Sequence, residues 1–175
     1  MRRLIIFVLV AAILVVMLAA GAIVVFNPSS THGAERLDYG QAIQIDDFAF
    51  SALSSERAAQ IGAQNAQGIF YIVPFKVMNR AKVVSFRFTP EIARLVDNAG
   101  VEHTPSAQAR AAWFAAQKQN DACAVELAAG TDCTTVLVFD VSADTRAPLL
   151  KIKFGEGLLE VADALAYGNR VIELK

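Results

Sequence analysis

The sequence predicts an all-β fold, an antiparallel β-sandwich with one inserted α-helix, preceded by an N-terminal transmembrane helix. Three observations carry this. About seven short runs rich in Val, Ile, Phe and Thr are separated by turn residues, with no alternation of strands and helices that would signal a parallel sheet. One stretch, Ala107 to Lys118, is strongly helical in composition, with six Ala in twelve residues. Ahead of both lies Leu4 to Phe26, 23 residues without a charge.

That first stretch would cover roughly 34 Å as a helix, against a hydrocarbon layer about 30 Å thick. Arg2 and Arg3 precede it, so the positive-inside tendency places the N-terminus in the cytoplasm and the remaining chain outside. The lipid bilayer is thus an expected partner through residues 4–26. A signal peptide is the rival reading, with Ala20-Gly21-Ala22 as a small-x-small cleavage candidate and secretion as its outcome. The apolar run is longer than a signal core and continues through Ile23-Val24-Val25-Phe26, which favours an uncleaved anchor. The expected organisation is an anchor over 1–26, a polar tether over 27–40 and an extracytoplasmic β domain over 41–175, periplasmic or extracellular.

Ala42 to Ser51 alternates Ile43 and Ile45 with polar residues, then resumes at Phe48 and Phe50, so a strand with a bulge at Asp46-Asp47 is expected. Ser54 to Gly68 reads as a loop. Ile69 to Asn79 is the strongest strand; its apolar residues hold no single phase across Pro74, and that Pro predicts a kink or a local edge position. Val83 to Thr89 alternates Val84, Phe86 and Phe88 against Ser85, Arg87 and Thr89, the pattern of a half-buried strand. Asn98-Ala99-Gly100 turns a hairpin between Ile92–Asp97 and Val101–His103. Thr104 caps a helix with Pro105 at its first position, and Ala109, Ala112, Trp113 and Ala116 share the face turned to the sheet. Thr134–Val141, Leu149–Phe154 and Val171–Leu174 complete the strands; Lys151 and Lys153 alternate with Leu150, Ile152 and Phe154.

Two cysteines, Cys123 and Cys133, bracket a turn-forming stretch, and in an oxidising compartment they are expected to form a disulfide. Their spacing fits no redox motif, and no His or second Cys pair completes a zinc set. Removing Arg2 and Arg3 from 16 basic residues leaves 14 against 17 acidic ones, a balance near −3. No basic stripe is visible, so no nucleic-acid partner is expected.

The later segments carry a resemblance. Ile69 to Lys82, the hairpin around Val96-Asp97-Asn98-Ala99-Gly100, and Leu127-Ala128-Ala129-Gly130 leading to Val138-Phe139-Asp140-Val141 resemble telokin-like, immunoglobulin-type sandwich domains of bacterial envelope and secreted proteins. The resemblance implies an immunoglobulin-like antiparallel β-sandwich and brings no catalytic residues with it.

Candidate chemistry is sparse. His32 lies in the tether; His103 stands near Thr104 and Ser106, but both hydroxyls are better explained as helix-start residues, and no elbow or oxyanion-hole motif is present. Asp46 with Asp47, and Asp97 with Asn98 and Glu102, lack the spacing of a calcium loop. Gly155-Glu156-Gly157 reads as a turn, and Trp113 as a core anchor. The expectation is therefore a non-enzymatic, membrane-anchored module without catalytic residues, cofactor or metal, binding an envelope protein or small ligand through loops or an exposed strand edge. An extracytoplasmic hydrolase or carbohydrate-active enzyme is the alternative, and a small-molecule or metal carrier a third.

Overall fold

The computed structural model describes residues 31, 33–154 and 166–175. The apolar stretch 4–26, His32 and Gly155-Glu156-Gly157 lie outside them. Among the described residues, no helix is long and apolar enough to cross a membrane.

Among the described residues, two sheets and one helix of about three turns carry the fold. The strands are β1 (Glu35–Leu37), β2 (Ile43–Ile45), β3 (Phe48–Ala52), β4 (Glu56–Ile61), β5 (Gln64–Asn79), β6 (Ala93–Val96), β7 (Glu102–His103), β8 (Asp132–Val141), β9 (Leu149–Ile152) and β10 (Arg170–Glu173), with helix α1 (Ala107–Gln117) between β7 and β8. One sheet has the order β1-β10-β9-β6-β7. In the other, β8 lies along one flank of the long β5, while β3 and β4 follow one another along its other flank. All ladders are antiparallel except β1 on β10, which is parallel.

The inward faces of the two sheets meet in the main core, which includes Phe50, Phe75 and Phe139 from one sheet and Leu95, Leu150 and Ile172 from the other. Each is fully buried, and each side chain of this size contributes roughly 1.5–3 kcal/mol on leaving water. The outer face of the β5 sheet carries a second, smaller core of Ile61, Phe70, Ile72, Val136 and Val138 under Ala109, Ala112, Trp113 and Phe114 of α1. Trp113 is thus a packing residue, as expected. Ala116 remains exposed.

Several elements differ from the sequence-based expectation, each for an identifiable reason. Pro74 does not put β5 at the edge of its sheet, since β8 runs along one flank and β3 and β4 along the other, but it falls in the local gap between β3 and β4. Pro74 O accepts the Leu53 N–H at 2.9 Å just beyond β3, so the missing Pro donor falls where that ladder ends and β4 has not begun. Nor is the phase broken there. Tyr71, Val73, Phe75 and Val77 face the main core and Phe70 and Ile72 the helix, so both faces read as apolar.

Asp46-Asp47 is a two-residue hairpin turn and not a bulge: Ile45 pairs with Phe48 across it, and Asp46 takes φ 51°, which Asp tolerates. The loop expected over 54–68 is a hairpin, β4 to β5. Its strand was hidden because ERAAQI buries only Ile61 fully and is held by pairing along β5. The 83–89 segment forms only a single bridge, Phe86 to Leu127. Phe88 is buried as expected, but Val84 is exposed. Glu35–Leu37, expected within the tether, is strand β1 against the last strand.

The helix is capped by Ser106, whose Oγ accepts the Ala109 N–H at 3.2 Å, and not by Thr104. Lys151, which alternates with the apolar residues of β9, is itself buried and ion-paired with Glu102.

Candidate binding groove at the polar end

The strand registers define two ends of the sandwich. At one, β6 runs into the Asp97–Gly100 turn, β8 ends at Val141, and the 142–148 segment leads into β9. A groove of about 480 Å³ opens there, lined by Asp97, Asn98, Ala99, Ser142, Asp144, Thr145 and Arg146.

Its walls are cross-braced. Asn98 Nδ2 donates to Arg146 O at 2.8 Å, and Arg146 N–H donates to Asn98 Oδ1 at 2.7 Å. Asp97 is the hub of its own hairpin: its Oδ1 accepts the Ala99 and Val101 N–H groups, each at 2.9 Å, and its Oδ2 accepts from His103 Nε2 at 2.9 Å. Partial burial works against ionisation of Asp97, but the bonds from His103, Val101 and Ala99 outweigh it and hold the carboxyl below its ordinary range.

The opposite wall is pinned from beneath. Tyr71 Oη donates to Thr145 O at 3.0 Å, and Arg57, whose guanidinium lies over the Tyr71 ring, donates to Ala143 O at 2.9 Å. Arg146 Nη1 reaches Ala143 O and Thr145 O at 3.0 and 2.9 Å. Among the described residues, the Ser142 hydroxyl and the Asp144 carboxylate have no partner, so the groove presents a hydroxyl and a negative charge to a visitor.

The structure brings together some of the sequence-selected residues and separates others. Asp97, Asn98 and His103 meet here, whereas Glu102 turns to Lys151 and Asp46-Asp47 sit on the β2–β3 turn at the other end. Ser106 Oγ is engaged in capping α1, so the Asp97–His103 pair has no nucleophile from that source. Among the described residues, no three His, Cys, Asp or Glu side chains converge as a metal set. Cys123 and Cys133 form the expected disulfide, with Cα atoms 5.5 Å apart and both residues in the main core.

Five residues have structural roles that the sequence reading did not assign. Asn79 is buried and donates to Val84 O at 2.8 Å and Leu127 O at 3.2 Å while accepting from Ala81 N–H at 3.0 Å. Arg110 links α1 to β8 and to Asp121. Gly68 lets the β5 backbone meet β8, and Arg146 closes the groove. Asp140, within the Phe-Asp-Val motif, accepts the Gln67 and Gly68 N–H groups at 2.9 and 3.2 Å. A polar residue inside an apolar strand was the one signal for Asn79 and Asp140.

The architecture has known counterparts. MPT63, a secreted protein from Mycobacterium tuberculosis, superposes with a TM-score of 0.53 at 12% identity, over 81% of this chain and 97% of its own. A conserved hypothetical protein from Bacillus anthracis gives 0.55 at 12% identity, over 68% of this chain and 91% of its own. The yjhA protein from Bacillus subtilis gives 0.53 at 12% identity, over 79% and 98%. The likeness is one of fold. No protein-family model matches the chain, and no curated protein sequence matches it.

Proposed function

We propose that this chain is a non-enzymatic extracytoplasmic β-sandwich module, held in the cell membrane by residues 4–26, that binds an envelope protein or small ligand in the groove at its polar end. The observation that carries the reading is the groove itself. Its backbone is fixed by the Asn98–Arg146 pair and the Asp97 hub, while Ser142 and Asp144 stay available. A wall rigid before binding loses little conformational freedom on binding. The strand-edge route expected from Pro74 has little room, since β3 and β4 flank the short gap there, Pro74 O already accepts from Leu53, and the free side of β8 is covered by α1.

Membership of the telokin-like, immunoglobulin-type sandwiches is part of the same proposal. It is supported by the two-sheet order and by the placement of Asp140 and the Gly130 turn around β8. The secreted neighbour MPT63 accords with a domain outside the cytoplasm.

A photo-crosslinking residue at Ala99, compared in intact cells with one at exposed Gln108 on α1, tests the groove. A discrete adduct from position 99 alone is expected; matching patterns from both positions would remove the binding proposal. Intact mass tests the anchor, since a mature chain beginning near Ile23 would replace it with secretion.

A further inference from the structure

The end of the sandwich away from the groove has a different chemistry. Here the chain enters: the Glu35 N–H donates to Asn169 O at 2.9 Å, and β1 pairs Glu35 with Arg170. By the register of β10 on β9, Ile152 lies at the same level, and the chain runs on to Phe154. Phe154 meets Phe48 and Phe86 in a cluster with centroids 6.4 and 6.2 Å away, Phe48 and Phe86 being stacked at 4.2 Å. The Arg80 N–H donates to Asp47 O at 2.8 Å, which fixes the 80–88 segment at this end.

That segment projects apolar side chains into water. Val83 is 90% and Val84 60% exposed, and Lys82 and Arg87 flank them. Among the described residues neither cation has a hydrogen bond or ion pair. The acidic groups of this end are Asp46 and Asp47 on the β2–β3 turn, Glu91 before β6, Glu126, which accepts from the Ser85 hydroxyl, and Glu35 and Asp132, which are ion-paired with Arg170 and Lys76.

We propose that Lys82-Val83-Val84 is a membrane-contacting tip: the two valines enter the boundary between lipid headgroups and acyl chains, and Lys82 and Arg87 meet lipid phosphates. This rests on the reading of 4–26 as a retained anchor. Four residues, and so five Cα-to-Cα steps, separate Phe26 from Thr31, and an extended chain reaches at most about 18 Å. On the anchor reading, the point where the chain enters the domain lies within this reach of the anchor's end, and the apolar tip is on the same end of the domain. Adjacent exposed valines gain by leaving water, and flanking Lys and Arg keep their charges at the lipid surface while their stems lie along apolar groups. A two-residue tip is too small for a stable protein interface, which buries about 800 Å² per partner. The bilayer needs no such area, because the anchor already holds the tip near it.

The test uses the full chain in vesicles containing phosphatidylglycerol. Cys123 and Cys133 are joined and no other cysteine is present, so V84C takes a single environment-sensitive dye, and A99C at the groove end is the control. The expected result is a blue shift and strong quenching by lipids brominated near the glycerol at position 84, with neither at 99. K82Q/R87Q should weaken the quenching. Flotation reports the anchor separately. Chain that floats while position 84 stays as unquenched as position 99 overturns the tip and leaves the anchor standing. Chain that does not float ends the anchor reading and, with it, the tip proposal that rests on it. A dye shift that follows protein concentration without lipid assigns the tip to a second copy and overturns the proposal.

Discussion

Arg110 of α1 closes the outer strand of its sheet: its Nε donates to Val136 O at 2.7 Å. The Ser106 N–H donates to Val138 O at 2.7 Å two residues along. Together they occupy the side of β8 that faces away from β5. An uncovered strand edge is a template for another chain. Arg110→Met should cost about 1–3 kcal/mol, from the lost bonds to Val136 and to Asp121. It should also raise self-association, read by light scattering at increasing concentration. Unchanged stability and an unchanged monomer fraction would show that the helix backbone alone guards the edge.

Gly68 is required by crowding. A Cβ there would stand 2.1 Å from Val141 O and 3.0 Å from Ala143 N. Both are backbone atoms and cannot swing away. Gly68→Ala should cost at least about 2 kcal/mol and lower the urea midpoint, with the Asp140 bonds to Gln67 and Gly68 disturbed as well. An unchanged midpoint would mean that β5 and β8 can separate freely at this point.

Asn79→Ala removes the buried bracket between the end of β5, the 80–88 segment and the 127–128 turn. The Leu127 carbonyl keeps its Phe86 partner, so the expected loss is set by Val84 O and Ala81 N–H, about 2 kcal/mol. Hydrogen exchange should quicken at Ala81 and Phe86 before it quickens in β5.

Breaking the Cys123–Cys133 link with a Ser pair should cost about 2–3 kcal/mol for a loop of this length. The native protein should show no thiol to an alkylating reagent until it is reduced, and two afterwards.

The acid dependence of stability has a worked sign. The folded Asp97 carboxyl lies below its ordinary value, and the bonds from His103, Val101 and Ala99 are what outweigh its burial. Its contribution is therefore fully present above the unfolded value, about 3.9, and is lost as pH falls through the lower folded value. Asp97→Asn should be less stable than the parent at neutral pH by about 1–3 kcal/mol. The two proteins should converge below about pH 4. Parallel stability curves down to strong acid would assign the acid response to other groups.

How much of this was readable beforehand follows from what each residue's surroundings depend on. The Asn98-Ala99-Gly100 hairpin needs only local turn chemistry and was found, as were β8, β9 and the disulfide. The β4 strand has no apolar alternation of its own; it exists because β5 offers a flank, which no local pattern records. The double-sided burial of β5 turned a regular alternation into an apparent break at Pro74. Of the groove, Asp97, Asn98 and His103 stood out as polar residues at a turn, but Arg146 lies 48 residues from Asn98, and only the fold joins them. The same holds for Lys151, whose partner Glu102 lies on the opposite side of β6.

The parallel pairing of β1 with β10 joins the first described strand to the last. A chain emerging from a ribosome or a translocation pore cannot complete this sheet until residues 170–173 have cleared the exit. That sheet thus closes only after the other, which needs nothing beyond Val141, can already have formed. Once the sheet has closed, a pull between Glu35 and Glu173 loads the rungs of β1 on β10 in shear, all at once.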